Sequence, residues 1–212
     1  MNHLVLLGDS VFDNARYVNG GLAVIDRLQD QLPEGWKATL LAIDGNVTTD
    51  VPRQIDSIPD DATHLVVSMG GNDALNASGI LSDSADSVAE VLGKLAVVSQ
   101  TFERNYLEVL GALQRRKLPL ILCTIYYPRF PDPYLQKLAV TALTIFNDVI
   151  VRAAFSAGAP LLDLRLICNE DADYANEIEP SAAGGEKITR AIWQAITEHD
   201  FSTPRTAAFA GE

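Results

Sequence analysis

Apolar positions along the chain fall into short unbroken runs, separated by longer stretches in which they recur every three or four residues. His3 to Leu7 carries four consecutive aliphatics with no polar alternation, the pattern of a strand buried on both faces in a parallel sheet covered by helices. Comparable runs occur at Lys37 to Ile43, His64 to Met69, Leu118 to Ile125 and Pro160 to Leu164. Helical spacing fills the intervals. One helix begins at Leu22 and ends before Pro33, and a short one covers Val51 to Ile58. A long helical region runs from Ser84 to Arg116, with a break expected near Ala96 to Gln100. Pro133 to Ala157 places Leu135, Leu138, Ala142, Phe146 and Val149 at core-facing positions, and Pro180 to Glu198 gives the last helix. Strand and helix therefore alternate from end to end, which predicts an α/β fold with helices on both faces of a parallel sheet.

The first three strands each stop at a polar turn. Gly8-Asp9-Ser10 follows the first, Asp44-Gly45-Asn46 the second and Gly70-Gly71-Asn72-Asp73 the third. The carboxyl ends of strands are where open α/β sheets build their sites. A Ser hydroxyl is a weak nucleophile, and its attack on an ester carbonyl builds negative charge on the carbonyl oxygen. Ser10 would therefore need an activator and hydrogen-bond donors. Gly45 offers an N–H with no side chain in the way, Asn72 offers an amide NH₂, and the Ser10 N–H is a third donor. Each residue also has a structural reading: an ordinary capped turn at Ser10, a positive-φ turn at Gly45, and a loop cap at Asn72. Their joint occurrence at three successive strand ends favours a site.

Ser10, Gly45 and Asn72 in this order resemble the blocks of the SGNH (GDSL-type) hydrolase family. The segment Ile178-Glu179-Pro180-Ser181-Ala182-Ala183-Gly184-Gly185 resembles that family's fourth block, which carries a His three residues after an Asp. Here Glu179 stands at the His position and Asn176 at the Asp position. The resemblance covers nearly the whole chain and implies a three-layer α/β/α flavodoxin-like sandwich. Five strands in this pattern lead to the same sheet order, 2-1-3-4-5. It also implies one domain over residues 1–200, while residues 201–212, small and polar around Pro204, read as a loose tail.

None of the three histidines suits the role of base. His3 and His64 start the first and third strands, and at ~3.3 Å per residue each lies roughly 15–20 Å from the face that carries Ser10. His199 ends the last helix, which at ~1.5 Å per residue carries it roughly 30 Å from Glu179. Unless a second subunit lends a histidine, Glu179 is the candidate acceptor of the Ser10 proton, with Asp163, Asp171, Asp173 and Glu177 as the other acids in the neighbourhood. Its ordinary pKa near 4.3 makes it a poor base at neutral pH unless burial raises that value. Beside a carboxylate an Asp would repel, whereas the Asn176 amide can donate a hydrogen bond to Glu179. The other reading of Glu179 is a cap on the helix that Pro180 starts.

Composition narrows the partners. The chain has 212 residues, 48% of them apolar, and a formal net charge of −12, which argues against nucleic acid or an anionic membrane as partner. No stretch reads as a bilayer span, and Gly8-Asp9 interrupts the first apolar run, so a soluble cytoplasmic protein made without a signal peptide is expected, a processed secreted form being the alternative. Cys123 and Cys168 have no metal-ligand spacing and are expected as free thiols, and nothing demands a metal or organic cofactor. Asp9, Tyr126 and Arg129 are candidate substrate contacts, and Asn76 to Leu81 is a candidate lid. Two functions stand: an esterase acting on small esters, with short acyl groups implied by the resemblance, or a non-catalytic binder that keeps the pocket without turnover.

Overall fold

The computed structural model describes residues 1–211. Six parallel strands form one sheet: β1 (Asn2–Gly8), β2 (Trp36–Leu40), β3 (His64–Ser68), β4 (Leu120–Cys123), β5 (Leu161–Leu162) and β6 (Ala208–Phe209), in the order β2-β1-β3-β4-β5-β6. The expected order is thus present, with one strand added at its edge. That strand comes from the stretch expected as a loose tail. Ala207 and Phe209 accept hydrogen bonds from the Leu161 and Asp163 N–H groups at 2.8 Å each, and Phe209 is buried. A short apolar segment here pairs the otherwise open edge of β5.

The unalternated strands are explained by two cores. Val5 and Leu7 of β1, with Leu65 and Val67 of β3, face one side. Leu4 and Leu6, with Val66 and Ile121, face the other. On the first side lie α2 (Val51–Asp56), α4 (Val88–Gln114) and α5 (Pro133–Ala157); on the second lie α1 (Val24–Gln31), α6 (Leu164–Ile167) and α7 (Ala182–Glu198). A short helix, α3 (Gly71–Ala77), follows β3 and runs into a 3₁₀ turn at Ser78–Ser82.

α4 is continuous where a break was expected. Val98, Phe102, Tyr106, Val109 and Leu113 all pack on the first core, and this burial carries the helix through the β-branched pair Val97-Val98. α5 starts where Asp132 accepts from the Tyr134 and Leu135 N–H groups, with Pro133 at its first position, and it stops at Gly158, φ +63°. Its 25 residues include an 18-residue window of mean hydropathy 1.6, so it is long and apolar enough to cross a membrane. The sequence reading missed this. In the fold, Phe146, Val149, Ile150 and Ala153 of α5 pack on the first core.

Gly8 and Ser68 are register partners, so β1 and β3 end level. Gly8 has φ +122°, and a Cβ there would overlap the Ser68 carbonyl oxygen. Its own N–H and C=O are bonded by the two ends of the Gln54 side-chain amide, at 2.7 and 2.8 Å. Both the backbone angle and the close approach require glycine. Gly8→Ala is expected to cost at least ~3 kcal/mol, read in urea unfolding as a fall in midpoint at unchanged slope.

Candidate active site

Beyond Gly8 the chain turns at once, and the Asp9 carbonyl accepts from the Phe12 and Asp13 N–H groups at 3.2 Å each. This turn sets Ser10, which is mostly buried, at the carboxyl end of the sheet. Asn72 enters from the first turn of α3, after Gly70 with φ +117°. Its amide donates to the Asn46 carbonyl at 2.9 Å, which fixes the side chain and leaves its second N–H uncommitted. Asp73 next to it accepts from the Thr48 N–H and hydroxyl, both at 2.9 Å. Gln54 ties Gly8 to the Asn46 side chain at 3.0 Å. The three strand-end turns are therefore braced against one another.

Glu179 arrives from the far end of the sequence. Tyr174 and Pro180 form an antiparallel bridge, and the Ala175 N–H donates to the Glu179 carbonyl at 2.8 Å, closing a tight loop. Asn176 acts differently from the expectation. Its side-chain oxygen accepts from the Ile178 and Glu179 backbone N–H groups at 2.9 and 3.0 Å, so it shapes the loop through the backbone, as Asn commonly does in turns, and is exposed.

Ser10, Asn72 and Glu179 line one cavity of about 250 Å³, together with Asp9 and Tyr126. The Glu179 Oε2 is buried without a hydrogen-bond partner among the described residues. Burial pushes its pKa up to about 7; the neighbouring Ser10 hydroxyl opposes that rise and the negative charge of Asp44 adds to it. Asp9 is likewise pushed to about 7, chiefly by burial, against a hydrogen bond from the Val11 N–H and with the charges of Glu179 and Asp73 raising it further. Two carboxyl groups whose pKa values burial raises toward neutrality thus line the same cavity as the Ser10 hydroxyl.

Gly45 has φ +84° and is exposed, and it does not line the cavity. A Cβ there would meet nothing within 4 Å, so the backbone angle, not crowding, calls for glycine. The Ser10 and Gly45 N–H groups form no hydrogen bond among the described residues. Tyr126 donates from its hydroxyl to the Ile178 carbonyl at 2.6 Å and so holds the Glu179 loop from beneath. Arg129 is turned away from the cavity. Its guanidinium pairs with Asp171 at 3.2 Å and lies over the Tyr174 ring at 5.0 Å, and it does not line the cavity, which removes it as a substrate contact in this arrangement.

The histidines stand apart from the site. Buried His3 bonds Asp61 and Thr39 at 2.7 and 2.8 Å. His64 packs on Trp36 and Phe201, and His199 also meets Phe201. None of the three lines the cavity.

The sequence reading missed the bracing residues Gln54 and Asp73, and it took the cavity wall for solid core. Ala139, Ala142, Leu143 and Phe146 of α5 line the cavity, yet their helical spacing is that of any buried face.

No curated protein sequence matches the chain. Solved structures with the same architecture include a member of the lipolytic G-D-S-L family from Veillonella parvula, at TM-score 0.67 and 14% identity over 94% of this chain and 100% of that one. An extracellular lipase from Streptomyces rimosus aligns at TM-score 0.65 and 16% identity over 88% and 96%. The acetyl xylan esterase AlAXEase aligns at TM-score 0.65 and 18% identity over 92% and 99%. At these identities the likeness is one of fold. The sequence pattern of the GDSL-like lipase/acylhydrolase family matches residues 6–187, and the chain belongs to that family.

Proposed function

We propose that the protein is a serine esterase in which Glu179 takes the place of a histidine base. The observation that carries this reading is the convergence on one cavity of Ser10, Asn72 and a buried Glu179 carboxylate whose Oε2 has no partner among the described residues. Glu179 withdraws the Ser10 proton as the hydroxyl oxygen attacks the ester carbonyl. The free Asn72 N–H and the Ser10 N–H receive the developing oxyanion. Glu179 then returns the proton to the departing alcohol, and a water molecule, activated by the same carboxylate, releases the acid. A pKa of about 7 makes Glu179 a far better base than an ordinary carboxylate while leaving much of it ionised at neutral pH.

Hydrolysis of aryl esters across pH tests the reading. The Ser10-dependent rate should rise with pH through about 7, as Glu179 loses its proton, and then stay level. Glu179→Gln keeps the shape of the side chain and removes its basicity, so it should abolish most of that rate at every pH. Asn72→Ala should lower kcat by roughly 10²–10³-fold, the cost of one oxyanion donor. Turnover by the native protein no faster than by Ser10→Ala would support the binder instead.

The same carboxyl groups predict a stability signature. Asp9 in the folded chain keeps its proton up to about pH 7, whereas an unfolded Asp loses it near 3.9. The folded state therefore binds more protons between these values, and this contribution to stability falls as pH rises across the window. Asp9→Asn keeps an acceptor for the Val11 N–H and cannot ionise. Relative to the native chain it should gain roughly 2 kcal/mol between pH 5 and pH 8, measured as the difference between paired urea titrations.

A further inference from the structure

The cavity beside Ser10 is much larger than an acetyl group needs. Its volume is about 250 Å³. An apolar protein cavity of about 150 Å³ accommodates benzene, which is roughly 25 Å³ for each carbon, so this one has room for about eight to ten carbons. Ser10, Asn72 and Glu179 line it together with Asp9, and most of the remaining wall is aliphatic or aromatic. Ala74 and Ala77 of α3, Leu95 and Val98 of α4, and Ala139 and Ala142 of α5 are its three sides. Four of these six are alanines, and the space between the helices exists because no longer side chain fills it.

Phe146 is buried and packs on Phe102 at 4.9 Å between ring centroids. Leu75, Leu81 and Leu135 also line the cavity, yet each is more than a third exposed, so the apolar wall runs out to solvent. An apolar acyl chain anchored by its carbonyl at Ser10 would cover this wall.

We propose that the site is built for esters of medium-chain fatty acids of about eight to ten carbons, the acyl chain lying between α3, α4 and α5, with Ala139 and Ala142 setting its length. This rests on the esterase reading and replaces the short acyl group that the sequence resemblance implied.

The test uses p-nitrophenyl esters from acetate to palmitate with the native protein, Ser10→Ala, Ala139→Leu and Ala142→Phe, each variant first shown by thermal melting to be folded. Ser10-dependent kcat/KM should rise about fourfold for each methylene, the ratio set by burying one CH₂, and should level or fall beyond about ten carbons. Filling the space from either alanine should lower the decanoate-to-butyrate ratio at least tenfold, and one folded variant suffices for this comparison. A Ser10-dependent optimum at acetate or butyrate, or an unchanged ratio in the folded variants, overturns the acyl-length proposal and leaves the esterase reading intact. If no ester is turned over in a Ser10-dependent way, the esterase reading fails. The cavity is then judged by calorimetric binding of unbranched methyl ketones to Ser10→Ala. Affinity that climbs with length up to 2-undecanone upholds a medium-chain site, and affinity absent or indifferent to length overturns it.

Discussion

The contact between Gly8 and the Ser68 carbonyl fixes the level of the site. Because β1 and β3 are register partners up to these residues, the turns that follow leave the sheet at one height, and Ser10 and Asn72 reach a shared cavity. A side chain at Gly8 would force the strands apart. The Gln54 amide completes the arrangement, since it satisfies both polar backbone groups of Gly8 and holds Asn46. Asn46 in turn accepts the hydrogen bond that orients the Asn72 amide. One chain of contacts thus runs from the end of β1 to the proposed oxyanion donor, and no member of it is free to move alone.

Burying carboxyl groups beside Ser10 works against the stability of the fold and in favour of basicity. Asp9 and Glu179 both have pKa values raised to about 7, with burial the largest cause in each case. Each would be more stable replaced by a neutral residue at alkaline pH. A group destabilised in its charged form takes up a proton more readily, which is the property a base requires. The unpartnered Glu179 Oε2 is consistent with this, because a further donor would stabilise the charge and lower the basicity.

The parts of the fold legible in the sequence are those set by local pattern. The unbroken aliphatics of β1 and β3 and the periodicity of α5 mark buried elements, and the polar turns after β1 and β3 carry the cavity-lining Ser10 and Asn72. What pattern does not encode is what a buried face is buried against. Ala139, Ala142 and Phe146 look the same on a helix whether they meet a neighbour or border a cavity, so the acyl-sized space was invisible. The bond between Gln54 and Gly8 joins residues 46 apart and follows only from topology. Asn176 was assigned from the family resemblance and Arg129 from its place just past the fourth strand. In the fold, backbone N–H groups and the Asp171–Tyr174 pair claim their side chains instead. β6 was lost because two residues carry too little pattern to stand out from a tail.

Exchanging an imidazole base for a carboxylate also changes the electrostatics of the step itself. A neutral imidazole that takes a proton from serine becomes a cation while an anion forms on the substrate, so charge is separated in a site of low dielectric, and a buried carboxylate is needed to stabilise the imidazolium. In the proposed step Glu179 would begin as the anion and become neutral, while the charge moves to the oxyanion. The charge of the site is conserved and only its position changes. There is then nothing for an orienting acid to neutralise, and an Asp at position 176 would add a negative charge beside the one already buried. A neutral residue that fixes the loop suffices, which is what Asn176 supplies through the N–H groups of Ile178 and Glu179. In the proposed reading the residues at positions 176 and 179 are therefore physically linked: with a carboxylate as the base, the residue three positions earlier has a backbone to hold and no charge to balance.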